Sequence, residues 1–140
     1  LREPVLAGEG AEGLVGGVVL QVHDDVGAML GALGEGDIGR HFPDSDEQYR
    51  GIASAELLRR VVELTRNKGY RVGNCDVTIV AQAPKLAPYI EEMRANVARV
   101  LGVDVSRVNI KATTTERLGF EGEGLGISAQ AVAVMRSEAK

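Results

Sequence analysis

The sequence predicts an α/β chain of the α+β type, one sheet with helices packed on a face. Three observations predict it. Two stretches, 57–64 and 86–101, carry apolar residues at helical spacing, and two others, 77–81 and 108–112, alternate with a period of two. No internal repeat or linker interrupts the 140 residues, so 1–140 reads as a single domain. The composition is 44% hydrophobic and only 4% aromatic, without Trp, so the core is expected to be aliphatic.

The run Pro4–Ala7 is a candidate short strand, and glycines punctuate the next stretch, from Gly8 to Gly17. From Val18 to Leu33 the pattern is helical, with Val22, Val26, Met29, Leu30 and Leu33 on one stripe. Gly27 and Gly31 inside that helix each cost about 1 kcal/mol against Ala, which suggests that close packing needs them. Residues 34–51, GEGDIGRHFPDSDEQYRG, form a loop whose Phe42-Pro43 pair favours ligand shaping over a tail. Ser54 is a candidate cap for the next helix, whose stripe is Leu57, Leu58, Val61, Val62 and Leu64, and Lys68-Gly69 ends it. Tyr70–Ala83 is a strand closed by Pro84. Leu86, Ile90, Met93, Val97, Val100 and Leu101 mark a third helix, stopped by Gly102. Val108–Ala112 is a second strand, and Ile127–Met135 a last one, rich in Ala.

Composition also excludes functions. A net charge of -4 argues against a general phosphate-backbone binder, and five aromatic residues leave few stacking platforms for single strands. No nucleic-acid partner is expected. Cys75 is the only cysteine, so no intrachain disulfide is possible, and in a strand it reads as a small buried apolar residue. No apolar run reaches the ~18 residues of a membrane span, and the opening residues lack the charged-then-apolar pattern of a signal segment. The first residue is Leu1, not Met, so the chain is expected to lack its original start.

Chemistry is sought in the three unpatterned stretches, 34–51, 81–88 and 113–124, each at the end of a regular element. Thr113, Thr114 and Thr115 offer hydroxyls and amides suited to phosphate oxygens, and Glu116 offers a carboxylate suited to Mg²⁺. Taken alone, the same run is more simply a solvated turn. Ala81-Gln82-Ala83-Pro84-Lys85 offers backbone groups to a flat base, or is only a strand end broken by proline. Asp37-Ile38-Gly39 suits a ribose, and Phe42-Pro43-Asp44-Ser45-Asp46 a polyol, though Asp-rich runs are often plain turns. His23, followed by Asp24 and Asp25, is ligand chemistry for a divalent metal or simply polar surface.

Together the stretches carry what none carries singly. GDIGRHFPDSD at 36–46, GYRVGNCDVTIVAQAPK at 69–85 and VNIKATTTERLGF at 108–120 resemble the 2-C-methyl-D-erythritol 2,4-cyclodiphosphate synthase family of the non-mevalonate isoprenoid pathway. The likeness runs without a gap from about Ala28 to Met135.

The resemblance implies a four-stranded mixed sheet with helices on one face. It also implies a homotrimer whose sheets surround a threefold axis, with active sites between neighbours and the Ala-rich last strand allowing close approach. It implies conversion of 4-diphosphocytidyl-2-C-methyl-D-erythritol 2-phosphate to the cyclic diphosphate with release of CMP. Asp37 and Gly39 would hold the ribose, with Ile38 in the substrate-binding set between them. Ala81, Gln82, Ala83, Pro84, Lys85 and Leu86 would form the cytosine pocket, largely through backbone groups, and Ala87 joins the substrate-binding set. Thr113 and Thr114 would meet the phosphates, with Thr114 polarising the reacting diphosphate, and Thr115 joins the substrate-binding set. Glu116 would bind Mg²⁺, and Phe42 to Asp46 would line the erythritol pocket. Phe120 joins the substrate-binding set. A bacterial cytoplasmic location is implied, with a plastid homologue as the alternative.

The family's second metal, Zn²⁺ or a similar divalent ion, is held by an Asp-x-His near the N-terminus and a His on the helix before GDIG. His23 falls on that helix position. The Asp-x-His is absent, as if the N-terminal strand and metal motif were truncated, and Val15, Gly16 and Gly17 replace the family's His-Ser-Asp. Gly27 stands where the family has Asp, and Glu123 where it often has an anion-binding Arg, so no such anion site is expected. Two readings are open: a synthase whose zinc site is incomplete, or a catalytically impaired or non-catalytic trimer, a degenerate relative or engineered scaffold that retains the cytidine site. An unrelated regulatory nucleotide-binding module leaves TTTE and FPDSD unexplained.

Overall fold

Apolar periodicity becomes five helical and three extended segments in this computed structural model, which describes residues 23, 25–43, 45–49 and 54–138. In chain order they are α1 (residues 25–32), α2 (Ile38–His41), α3 (Ser54–Asn67), β1 (Tyr70–Val80), α4 (Ile90–Leu101), β2 (Val108–Thr113), α5 (Gly119–Gly122) and β3 (Ser128–Ser137). The sheet is mixed, in the order β2-β1-β3, with β2 parallel and β3 antiparallel to β1. A parallel neighbour requires a crossover, and α4 supplies it. Three strands lie among the described residues; the candidate strand at 4–7 lies outside them.

Register sets the two faces. Cys75, Val77 and Ile79 of β1 are buried, opposite Val108 and Ile110 of β2 and beside Ala133, Ala131 and Ala129 of β3. Leu58, Val61 and Val62 of α3, Met93 and Val97 of α4, and Val26, Met29 and Leu30 of α1 complete the core on that face. The other face carries Asp76, Thr78, Asn109, Lys111, Val132 and Val134. Val132 is 68% exposed and Val134 53%.

Several expectations change in detail. The alanines of β3 turn toward the helices, so they thin the core layer and do not line the open face. Ser54 is the first residue of α3 and buried, so a cap would precede it, outside the described residues. A Cβ at Gly27 or Gly31 would meet nothing within 4 Å, so close packing within the described chain does not require them. The strand from Tyr70 ends at Val80, and a cis Ala83-Pro84 peptide lies just beyond it. Gly73 sits in a bulge of β1, where a Cβ would press on the Val134 carbonyl at 3.1 Å and the Arg136 side chain at 3.0 Å. Gly102 ends α4 at φ 70°, its N–H bonding the Ala98 and Arg99 carbonyls.

Candidate functional site

The parallel strands β1 and β2 end side by side, with the Ala81 N–H on the Thr113 carbonyl at 3.0 Å. Beyond the carboxyl ends of parallel strands is where open α/β sheets take ligands. A cleft of about 280 Å³ opens there, lined by Ala81, Gln82, Pro84, Lys85, Leu86, Ala87, Ile90, Ala112, Thr113 and Thr114. Two stretches far apart in sequence thus form one site. Leu86 is buried at its floor, and Lys85 is exposed at its rim. Its chemistry is an apolar slot with one ammonium and two hydroxyls, which suits a flat base joined to an anion. Ile90 and Ala112 escape a search for loop motifs because they belong to regular elements.

The three threonines are not equivalent. The Thr113 hydroxyl donates to the Thr114 carbonyl at 3.1 Å, and that of Thr115 donates to the Leu118 carbonyl. The Thr114 hydroxyl instead accepts from the Glu116 N–H at 3.2 Å. Its own proton therefore stays available for an incoming oxygen. Glu116 and Arg117 both adopt left-handed backbone, φ 54° and 67°. Their turn leaves the Glu116 carboxylate exposed, open to a cation held jointly with phosphate oxygens. Phe120 comes next on α5, 53% exposed, its ring against Gly126.

The 37–46 stretch is held elsewhere. Glu35 pairs with Lys68, which lies just before the start of β1, and that ammonium pulls its carboxyl below the ordinary range. Asp37 caps α2, accepting from the Arg40 N–H at 2.9 Å. Ile38 and Phe42 pack against the core, and Asp46 accepts from the Gln48 backbone and side chain. Ser45 is exposed, Pro43 half-buried, and Asp44 lies outside the described residues. None of these lines the 280 Å³ cleft. Eleven residues of β1 separate the two ends, roughly 35 Å of extended chain.

His23 is half-buried near the start of α1, and Asp24 lies outside the described residues. Asp25 is only 2% exposed and faces the core beside Cys75. Burial pushes the Cys75 thiol up to about 12, with the Asp25 carboxylate adding to the rise. Among the described residues no three His, Cys, Asp or Glu side chains converge as a metal site. A closed or catalytic zinc site needs at least three protein ligands, so the donors among the described residues do not by themselves fit zinc. A single carboxylate does fit Mg²⁺, which keeps waters and shares substrate phosphates.

A larger cleft, about 400 Å³, lies at the opposite end of β1. There Arg107 donates to the Gly73 carbonyl at 2.9 Å and Arg71 pairs with Glu138 at 3.4 Å. It holds none of the candidate site residues.

Comparison with known proteins finds the following relatives. The YgbB family model matches residues 16–136. The 2-C-methyl-D-erythritol 2,4-cyclodiphosphate synthase of Syntrophotalea carbinolica is 59% identical over 118 residues, 84% of this chain and 72% of that protein. The IspF structure from Plasmodium falciparum in complex with CDP is 33% identical, with a TM-score of 0.76 over 86% of this chain and 72% of that one. The bifunctional IspDF from Campylobacter jejuni is 39% identical, TM-score 0.78, over 83% of this chain; the chain spans only 31% of that longer protein. The chain belongs to the YgbB family, that of the 2-C-methyl-D-erythritol 2,4-cyclodiphosphate synthases.

Proposed function

We propose that the chain is a cyclodiphosphate synthase. It takes 4-diphosphocytidyl-2-C-methyl-D-erythritol 2-phosphate, forms 2-C-methyl-D-erythritol 2,4-cyclodiphosphate and releases CMP. An oxygen of the 2-phosphate attacks the β-phosphorus, and the bond from that phosphorus to the oxygen of CMP breaks. The nucleophile is already on the substrate, so the protein's task is positioning and charge neutralisation. Ala81 to Ala87 seat the cytosine in the slot above Leu86. Lys85 faces the negative charge. Thr114 donates its hydroxyl proton to a diphosphate oxygen, while Thr113 and Thr115 hold the loop. Glu116 is the residue that would hold Mg²⁺, which when bound supplies positive charge to the diphosphate. Phe120 supplies an apolar rim.

Asp37, Ile38 and Gly39 for the ribose, and Phe42 to Asp46 for the erythritol, follow Glu35, which pairs with Lys68 just before their own chain's β1, and none of the described ones lines the cleft. They serve the cleft when a neighbouring copy presents them, which supports a homotrimer. The exposed Val132 and Val134 on the uncovered sheet face support the same assembly, since burying them removes apolar surface from water. We place the enzyme in the bacterial cytoplasm, as the resemblance implies; among the described residues no helix is long and apolar enough to cross a membrane.

The observation that carries this reading is the junction of Ala81, Gln82 and 84–87 with 112–114 in one cleft at the ends of two parallel strands. Calorimetry tests it. CMP binds in preference to AMP; equal affinity sinks the assignment. A second reading, a catalytically impaired or non-catalytic relative that keeps the nucleotide site, is favoured by one observation: Asp25 faces Cys75 in the core, and His23 is left without two further ligands among the described residues. Metal content together with CMP release separates the two. Near one tightly held zinc per subunit with brisk release supports the synthase, and binding without release supports the relative.

A further inference from the structure

We infer that Gln82 is a positioning residue: it ties the base-side segment to the turn that presents Glu116. Gln82 directly follows Ala81, where the ends of β1 and β2 part. Its side-chain Oε1 accepts from the backbone N–H of Arg117 at 3.1 Å, across 35 residues of sequence. The donor is a backbone amide, which fixes the orientation of the Gln82 amide group. Its acceptor oxygen is therefore committed to the protein.

The turn it holds needs holding. Glu116 and Arg117 are consecutive non-glycine residues at φ 54° and 67°. Such backbone is unfavourable for L-residues and persists only where its surroundings over-determine it. Gly122 closes against it from behind: a Cβ there would lie 2.2 Å from the Arg117 carbonyl carbon and 2.6 Å from its Cα. Gln82 holds it from the front. Between them the Glu116 N–H reaches the Thr114 hydroxyl at 3.2 Å, so carboxylate and hydroxyl share one fixed frame. Gln82 thus couples the slot for the base to the groups that meet the diphosphate. Its own side chain need not touch the substrate.

The test uses the intact protein with Gln82→Ala and Gln82→Glu; Glu keeps a side-chain acceptor in place. Amide exchange read at Arg117 is expected to quicken about five- to tenfold in Gln82→Ala, the worth of one hydrogen bond, and to stay near the parent rate in Gln82→Glu. Calorimetry gives the second readout, which rests on the function proposed above. The gain in CDP affinity on adding Mg²⁺ falls about fivefold in Gln82→Ala, a larger loss than that of CMP affinity. Unaltered Arg117 exchange in Gln82→Ala overturns the inference. So does a loss of CMP affinity as large as that of CDP, which would make Gln82 a direct base contact. If the parent protein binds neither nucleotide, the functional reading fails, and Arg117 exchange still decides the role of Gln82.

Discussion

Gly122→Ala adds one methyl at the most crowded point behind the Thr-rich loop. The new carbon would lie 2.2 Å from the Arg117 carbonyl carbon, 2.6 Å from its Cα and 2.7 Å from Thr115 Oγ1. Ordinary carbon contacts sit at about 3.5–4.0 Å, so the overlap with the carbonyl carbon exceeds an ångström. Two of the three neighbours are backbone atoms and cannot rotate away. Overpacking of this kind costs about 1–3 kcal/mol, against which a helical Gly→Ala change returns up to ~1 kcal/mol. The cheapest relief is outward movement of the exposed 115–118 turn, because core residues need not shift. The strain is then released where Glu116 and Thr114 sit. A displacement near 1 Å at a reacting site can cost ~100-fold. Thermal unfolding is expected to fall by only a few degrees. CMP affinity stays within about twofold, and Mg²⁺-dependent CDP affinity drops at least about tenfold. A variant that binds CDP with Mg²⁺ as the parent does would refute the claim that this turn must stay in place.

Thr114→Val should abolish most of the metal-dependent CDP affinity, whereas Thr113→Val, which removes only a bond to the Thr114 carbonyl, should cost less than about tenfold; equal losses contradict the division of roles. Cys75, with its thiol pushed up to about 12, should resist thiol reagents at about pH 8 until the protein unfolds, and rapid labelling of folded protein would overturn that. Arg94 donates to the Val108 carbonyl at 2.7 Å and the Val105 carbonyl at 3.1 Å, so Arg94→Met should lower stability by about 2 kcal/mol in denaturant titrations. Asp76 is held below its ordinary pKa first by the Lys111 ammonium and then by Asn109. A depressed carboxylate stabilises the fold above its unfolded pKa, and that support is lost as pH falls through the folded pKa. The pair is half-exposed, so Lys111→Met should cost under about 1 kcal/mol near pH 7 and nothing below about pH 2. Light scattering should give three copies per particle at micromolar concentration, and a monomer counts against the proposed assembly.

Where side chains repeat, the sequence was legible. Leu57, Leu58, Val61 and Val62 sit on the buried stripe of α3 as their spacing requires, and the alternation through Cys75, Val77 and Ile79 marks the buried face of β1. Partner choice was less legible. The alanines of β3 are small whether a strand faces a second sheet or its own helices, and only the pairing of Ala131 with Val77 places them in the core. The same limit holds in the site. TTTE names four candidate groups, but which hydroxyl keeps its proton depends on a 3.2 Å contact from Glu116 back to Thr114. Gln82 reads as one more pocket residue until Arg117, 35 positions on, is found on its oxygen.

Anchoring explains why a single chain carries both the cleft and the 37–46 stretch and yet does not join them. The base-side cleft is fixed by whatever terminates β1 and β2, namely the Ala81 to Thr113 bond and the turn beyond it. Glu35, just before the 37–46 stretch, pairs with Lys68, and Lys68 sits at the other end of β1 by chain order alone. No rotamer change can span a length of about 35 Å. Either the two stretches serve different ligands, or a second copy brings its own 37–46 stretch to this cleft. The second alternative gives the uncovered face, with Val132 and Val134 among its polar neighbours, a physical reason to be apolar. On this argument, charges placed at both valines would weaken assembly and nucleotide-diphosphate binding together, while CMP, seated by one chain's slot, would be held almost as before.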